Sequence, residues 1–300
     1  MDFLIGGLAG AGSSIFINPI DVVKTRLQLQ GELRSGPKTA TKYKSTFHGL
    51  YVIAKTEGLL ALQKGLVPAM VLGFLVNALS LGIYSMAEAK GYTKNKNGDV
   101  NIKKSMFWSA TGGLLGGVGC NPLLVVKIRL QSAGHPSIAV GRQHVYNGLL
   151  DGLVKLHKFE GLKGFFAGVT ATATRLAIGY SAQLTTFSKA KELLISHGHF
   201  KSSPFGLAFV ASSVSGIAVV LANCPFDVVA TRLYNQGNAP GRKVLYTGIL
   251  DCLMKIYKIE GLHGLYKGVG PLYIKLAPNV TISLVMWDFL HRLLRSNKTN

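Results

Sequence analysis

Acid is what this chain has least of. Among 300 residues only 13 are Asp or Glu, against 33 Lys and Arg, for a formal net charge of +20. Charged residues of both signs make up 15% of the chain and apolar ones 48%. So few charges argue against water on all sides, and 36 glycines suit helices that pack closely in lipid. Cysteine is scarce too: Cys120, Cys224 and Cys252 are an odd count without metal-ligand spacing, which speaks against a disulfide framework or a zinc site. No secretory leader is expected either, since Asp2 follows Met1 and small residues begin at once; any organelle address is expected to be internal. No Ser-His-Asp set, phosphate-cradling loop or paired carboxylates stand in a convincing context, and the eight histidines form no ligand cluster. The expectation is a non-enzyme with no metal and no cofactor.

The excess of base raises nucleic-acid binding as a reading. The Lys and Arg are scattered between apolar stretches, however, without a compact basic block. Attraction to anionic lipid headgroups or to an anionic solute accounts for that spread better, so no nucleic-acid partner is expected.

Apolar stretches recur near 3–20, 66–87, 105–126, 169–187, 205–231 and 269–290. Each suffices for a hydrocarbon core of ~30 Å, which needs ~20 helical residues. Asn77, Arg175, Gln183, Lys275 and Asn279 interrupt them, so one face of these helices is expected to line protein or water.

The repeat is the strongest signal. Pro19-Ile20-Asp21-Val22-Val23-Lys24-Thr25-Arg26-Leu27-Gln28 returns as Pro122-Leu123-Leu124-Val125-Val126-Lys127-Ile128-Arg129-Leu130-Gln131, and again as Pro225-Phe226-Asp227-Val228-Val229-Ala230-Thr231-Arg232-Leu233-Tyr234. The proline spacing is 103 residues both times. A second block runs Tyr43 to Glu57-Gly58 to Gly65, then Tyr146 to Glu160-Gly161 to Gly168, then Tyr246 to Glu260-Gly261 to Gly268, which places a three-residue deletion between Arg232 and Tyr246. Each repeat predicts a long helix kinked at Pro19, Pro122 or Pro225, a short amphipathic helix, and a second spanning helix. Repeat boundaries at 1–100, 101–203 and 204–300 follow, the three together forming one transmembrane domain. Asp21 and Lys24 lie three apart and share a helix face.

This triple motif resembles the mitochondrial carrier family, solute carrier family 25, over nearly the whole chain. Lys24–Leu33, Ala61–Ala69 and Gly216–Gln236 further resemble the subgroup of members 34 and 35, related to the oxaloacetate carrier. The resemblance implies an all-α membrane protein: six transmembrane helices in a threefold pseudosymmetric barrel, three short matrix-side amphipathic helices, and alternating-access exchange of solutes across the mitochondrial inner membrane. One chain supplies the complete barrel, so function as a monomer is expected.

The family's residue roles carry over position by position. Asp21 would pair with Lys127, and Asp227 with Lys24, to close the matrix side; the third pair would be Leu124 with Ala230, both uncharged. Gln28 and Gln131 match the family's glutamine braces beneath those pairs, whereas Tyr234 departs from them. On the opposite side, Asp288 and Lys191 alone keep the charge that the family's second gate needs. The central contact points fall near Gly73, Arg175 and Lys275, with Asn77, Ser80, Tyr180, Gln183 and Asn279 along the same faces. Two cations at mid-membrane call for an acidic solute, since alone they would repel each other. The family's cardiolipin sites would use Gly65, Gly148, Gly168, Gly248 and Gly268; a turn-forming role for these glycines is the other reading.

The function implied is antiport of small dicarboxylates or keto acids, such as oxaloacetate and malate-like solutes, and of sulfur oxoanions. The alternatives are a nucleotide or cofactor carrier, which needs a slot for a ring and has Tyr180 as its one obvious candidate, and a carrier-like membrane adaptor that has lost transport.

Overall fold

Proline removes one backbone hydrogen bond from a helix, and the three repeats absorb that loss in two ways. The computed structural model describes residues 2–33, 41–94, 101–196, 204–237 and 244–276, together with 278, 279, 282, 285 and 286. Helix α1 (Asp2–Leu29) runs on through Pro19, as α8 (Pro204–Gln236) does through Pro225. In the second repeat the helix breaks instead: α4 (Ile102–Gly119) and α5 (Asn121–Ser132) meet at Cys120 and are bent by 64°. The single kinked helix expected there is therefore two. Gly116, Gly117 and Gly119 precede the break, where residues without a Cβ leave helical geometry at little cost.

After each proline helix comes a short helix and one further turn. These are α2 (Thr46–Glu57) with the 3₁₀ turn Leu59–Gln63, α6 (Leu149–Phe165), and α9 (Ile249–Leu265). The break inside each unit is at Gly58, Gly161 and Gly261, whose φ angles of 87°, 61° and 69° favour glycine. The second long helix of each repeat is α3 (Leu66–Ala89), α7 (Val169–Ser196), and a helix over 269–276. Neighbours in sequence pack as neighbours in space, α1 on α3, α3 on α4 and α7 on α8. The ring closes where Lys275 reaches α1 and Met286 lies against Gly12. The protein is all-α.

Among the described residues, two helices are long and apolar enough to cross a membrane, and the bent pair α4–α5 makes a third. α1 and α7 are not among them. The six stretches read from the sequence thus differ in how apolar they are, because polar side chains such as Ser13 and Asn18 on α1 and Arg175 on α7 face the cavity.

One buried ion pair, made three times, joins each proline helix to its short helix. Arg26 Nη1 lies 2.6 Å from Glu57 Oε1, Arg129 Nη1 lies 2.5 Å from Glu160 Oε1, and Arg232 Nη2 donates to Glu260 Oε2 at 2.8 Å. All three guanidinium side chains are fully buried. Each Nε then donates to a main-chain carbonyl one repeat onward: Arg26 to Gln131 at 3.2 Å, Arg129 to Tyr234 at 2.9 Å, Arg232 to Gln28 at 3.2 Å. Lys64 and Lys267 add a second cation to Glu57 and Glu260, at 2.7 and 2.6 Å; Ala167 stands at the matching place in the second repeat. Valines flank each joint in the same pattern, Val22 and Val23 against Ile53 and Tyr43, Val125 and Val126 against Leu156, Val228 and Val229 against Cys252 and Ile256.

Burial alone would raise the Glu57 carboxyl, but its hydrogen bonds to Arg26 and Lys64 outweigh that and bring it down to about 2. A carboxyl lowered on folding stabilises the fold above its unfolded value and loses that contribution as pH falls toward the folded one. Glu57→Gln in detergent is expected to lower the unfolding temperature at neutral pH, with the gap from wild type closing as pH falls from about 4.5 to about 2. A gap that does not change with pH would contradict this.

A cavity floored by shared ion pairs

The charged residues after the prolines meet at one end of the ring. Lys127 Nζ on α5 lies 2.7 Å from Asp21 Oδ2 on α1, and Lys24 Nζ on α1 lies 2.6 Å from Asp227 Oδ2 on α8. Gln28 Nε2 donates to Asp227 Oδ2 at 2.7 Å while its Oε1 accepts from Thr231. Gln131 is tied instead to Thr25 and Asn18, at 3.1 and 2.9 Å. At the third position Tyr234 shares a hydrogen bond with Thr172, which donates in turn to Asn121 Oδ1 at 3.2 Å. A neutral chain of phenol, hydroxyl and amide therefore stands near the seam where Leu124 and Ala230 carry no charge.

The two cations of the cavity wall do not stand alone. Lys275 Nζ sits 2.8 Å from Asp21 Oδ1, and Arg175 Nε lies 3.8 Å from Asp227 Oδ1. Mutual repulsion, expected for two cations at mid-membrane, is thus offset by the same carboxylates that hold Lys127 and Lys24. Four cations share two carboxylates, leaving two positive charges in excess. Above them opens a cavity of about 290 Å³, the lower end of the range for small-molecule sites.

Arg175, Lys275, Gly73, Asn77, Tyr180 and Asn279 line this cavity. Ser80 and Gln183 are not among its lining residues. Ser80 Oγ is turned to the Ser109 carbonyl at 3.2 Å, and Gln183 is an exposed residue whose carbonyl accepts from Ser215. Spacing along one helix face put both in line with the cavity; the Ser80 hydroxyl is instead held by the neighbouring helix, and the Gln183 side chain is exposed. Asn77 is itself committed, donating to the Gly73 carbonyl at 2.9 Å. Lys191 is exposed near the end of α7, and Asp288 lies outside the described residues.

The five glycines divide into two kinds. Gly65, Gly168 and Gly268 have φ of 72°, 68° and 90°. A Cβ on them would come within 3.0 Å of Gln131, 2.7 Å of Tyr234 and 2.9 Å of Gln28. Turn geometry and the seating of the next repeat's residue account for these three without a lipid. Gly148 and Gly248 open α6 and α9, and a Cβ on either would meet nothing within 4 Å. Gly65 and Gly148 also border a second, mostly apolar cavity of about 850 Å³ between the first two repeats.

Sequence reading passed over the Arg26, Arg129 and Arg232 joints, and the asparagines before the prolines. Asn18 Nδ2 donates to the Lys64 carbonyl at 3.2 Å and Asn121 Nδ2 to the Ala167 carbonyl at 3.0 Å. The signal for the joints was present: Arg and Glu are the charged pair kept in all three repeats. Among the described residues no three His, Cys, Asp or Glu side chains are placed to hold a metal ion.

Asp21→Asn removes the carboxylate that Lys127 and Lys275 share and leaves two half-buried cations uncompensated. A loss of roughly 1–3 kcal/mol is expected, read as a lowered denaturation midpoint in detergent. A loss below about 1 kcal/mol would show that solvent, not Asp21, compensates these cations.

Comparison with known proteins agrees with the triple motif. The family described as mitochondrial carrier protein matches residues 1–95, 98–198 and 201–298. Human solute carrier family 25 member 35 is 43% identical over 98% of this chain and 98% of its own length. The mitochondrial oxaloacetate transport protein of Saccharomyces cerevisiae is 36% identical over 98% and 90%, and the mitochondrial citrate transporter E of Aspergillus niger is 34% identical over 98% and 93%. Such coverage, with three repeats joined by the same buried pair, leaves one conclusion: the chain belongs to the mitochondrial carrier family, and is a multi-pass transporter of the mitochondrial inner membrane, not an enzyme.

Proposed function

We propose that the protein exchanges small dianions, of the dicarboxylate and keto-acid class that includes oxaloacetate and malate-like solutes, with sulfur oxoanions as further substrates. The observation that carries this is the excess of two positive charges at the cavity floor. A dianion would neutralise that excess, Arg175 offering a planar fork to one carboxylate and Lys275 a point charge to the other. A relative's name points the same way, since the yeast protein is called an oxaloacetate transporter. The citrate transporter of Aspergillus niger widens the class to carboxylates at large, but a tricarboxylate would bring one charge more than the floor lacks.

Alternating access then assigns Asp21, Lys24, Lys127 and Asp227 to the matrix gate, braced by Gln28, with Lys191 and Asp288 in the gate opposite. The nucleotide-carrier reading would need a slot for a ring, and Tyr180 is the one aromatic side chain among the described residues of the cavity wall. A non-transporting adaptor would need neither the cavity cations nor their carboxylates. Anionic lipid headgroups such as those of cardiolipin would take the open amides beside Gly148 and Gly248, where a helix start favours anions. Each chain acts as a monomer.

The test is uptake of labelled oxaloacetate, malate and sulfate into liposomes holding wild type or Arg175→Ala. Wild-type uptake is expected to need internal counter-anion, and the variant is expected to be slower by roughly tenfold to a hundredfold, the range for losing a hydrogen bond to a charged group. No uptake of these anions by folded wild type would overturn the proposal.

A further inference from the structure

The closed end carries ion pairs on two of its three seams. Asp21–Lys127 joins the first repeat to the second and Asp227–Lys24 the third to the first, while Leu124 and Ala230 leave the seam between second and third repeats uncharged. Directly beyond that seam lies the connection between α5 and α6, residues 133–148. We infer that its segment 134–144 is a strap that latches the second repeat to the third, in place of the missing ion pair.

The attachment to the third repeat is specific. Asn235, fully buried at the end of α8, accepts from the Arg142 amide at 2.8 Å and donates to the Arg142 carbonyl at 3.0 Å, pairing with that residue's backbone on both sides. Its Nδ2 also reaches Ser132 Oγ, on the far side of the seam, at 2.8 Å. The Arg142 guanidinium donates to the Gln236 carbonyl, and the His144 ring meets the Asn235 carbonyl at 2.8 Å. Gly141 makes the close approach possible: its φ is +63°, and a Cβ there would lie 2.6 Å from Asn235 Oδ1. In the other repeats the place of Asn235 is held by Leu29, which has no hydrogen-bonding side chain, and by the shorter Ser132.

The same segment is anchored on its other flank. Ile138 and Val140 are buried in the cluster around Val22, Leu29 and Ile53 of the first repeat. Tyr43 Oη donates to the Ile138 carbonyl at 2.8 Å and Lys42 Nζ to the Ala139 carbonyl at 3.0 Å. Gln143 pins the segment to itself, donating to Val140 and accepting from Gly134. The strap therefore touches all three repeats across the closed end. It cannot keep both flanks when the ends of α1, α5 and α8 move apart, so opening this end requires its release. The buried apolar flank is the firmer one, which makes the Arg142–Asn235 flank the one that lets go.

The inference rests on reading this end as a gate, not on the anion assignment, and its test needs no transported solute. Ser13, in the cavity wall, is replaced by Cys, and a membrane-impermeant maleimide is added on the gate side of proteoliposomes; labelling is counted above that of the parent with its three native cysteines. Asn235→Leu and, separately, Arg142→Ala are expected to raise the labelling rate about fivefold. Adding Leu124→Asp with Ala230→Lys to Asn235→Leu, which supplies the seam with an ion pair, is expected to return the rate to near the Ser13→Cys value. Unchanged labelling in both folded single variants, while Asp21→Asn raises it, would overturn the strap and keep the gate. Unchanged labelling in Asp21→Asn as well would overturn the gate reading itself. A raised rate that the added ion pair does not lower would overturn the claim that the strap stands in for one.

Discussion

Everything in this structure hangs on a buried guanidinium that faces two ways. Arg26, Arg129 and Arg232 each grip a carboxylate of their own repeat and a main-chain carbonyl of the next. Three such links, head to tail, make a closed ring. An Arg stripped of its partner at such depth is strongly destabilising, so the pair fixes the short helix against the proline helix within narrow limits. The deletion in the third repeat shows which part is constrained. It shortens the separation between Arg232 and Glu260 to 28 residues, against 31 in the other two, and leaves the joint intact.

Above this threefold ring the charge layer is not threefold, and function is read from the departure. Asp21 and Asp227 each serve a cation from the gate and a cation from the cavity wall. On the proposed reading, a solute that takes Arg175 and Lys275 competes with the carboxylates that close the end of the ring. Binding and closure are thereby coupled through shared partners, without any need for a distant pathway. The uncharged seam has its own solution, in hydrogen bonds between Tyr234 and Thr172 and between Asn235 and the strap.

Much of this was legible in the sequence, because repetition converts weak local signals into a strong one. The period of 103 residues marks the repeats, and the places of Asp21, Lys127, Asp227 and Lys24 within it match the contacts found. What could not be read depends on geometry across repeats. That Arg175 and Lys275 turn toward the acids below them follows from side-chain reach, not from spacing. Ser80 and Gln183 share a helix face with cavity residues, yet the Ser80 hydroxyl bonds to the neighbouring helix and Gln183 is exposed outside the cavity lining. That Gly65, Gly168 and Gly268 each seat a side chain of the next repeat is likewise a contact that position along the chain does not show. The break at Cys120 was hidden because three equivalent prolines gave no reason for one to differ.

The central claim is that the cavity floor lacks two negative charges and that the transported solute supplies them. Competition measures this most directly: exchange of labelled malate by wild-type protein in liposomes, inhibited in turn by unlabelled mono-, di- and tricarboxylates of matched size. The account predicts that dicarboxylates inhibit at the lowest concentration, with mono- and tricarboxylates weaker by roughly tenfold for each charge missing or left over. Equal inhibition across the series, or strongest inhibition by a monocarboxylate, would contradict it.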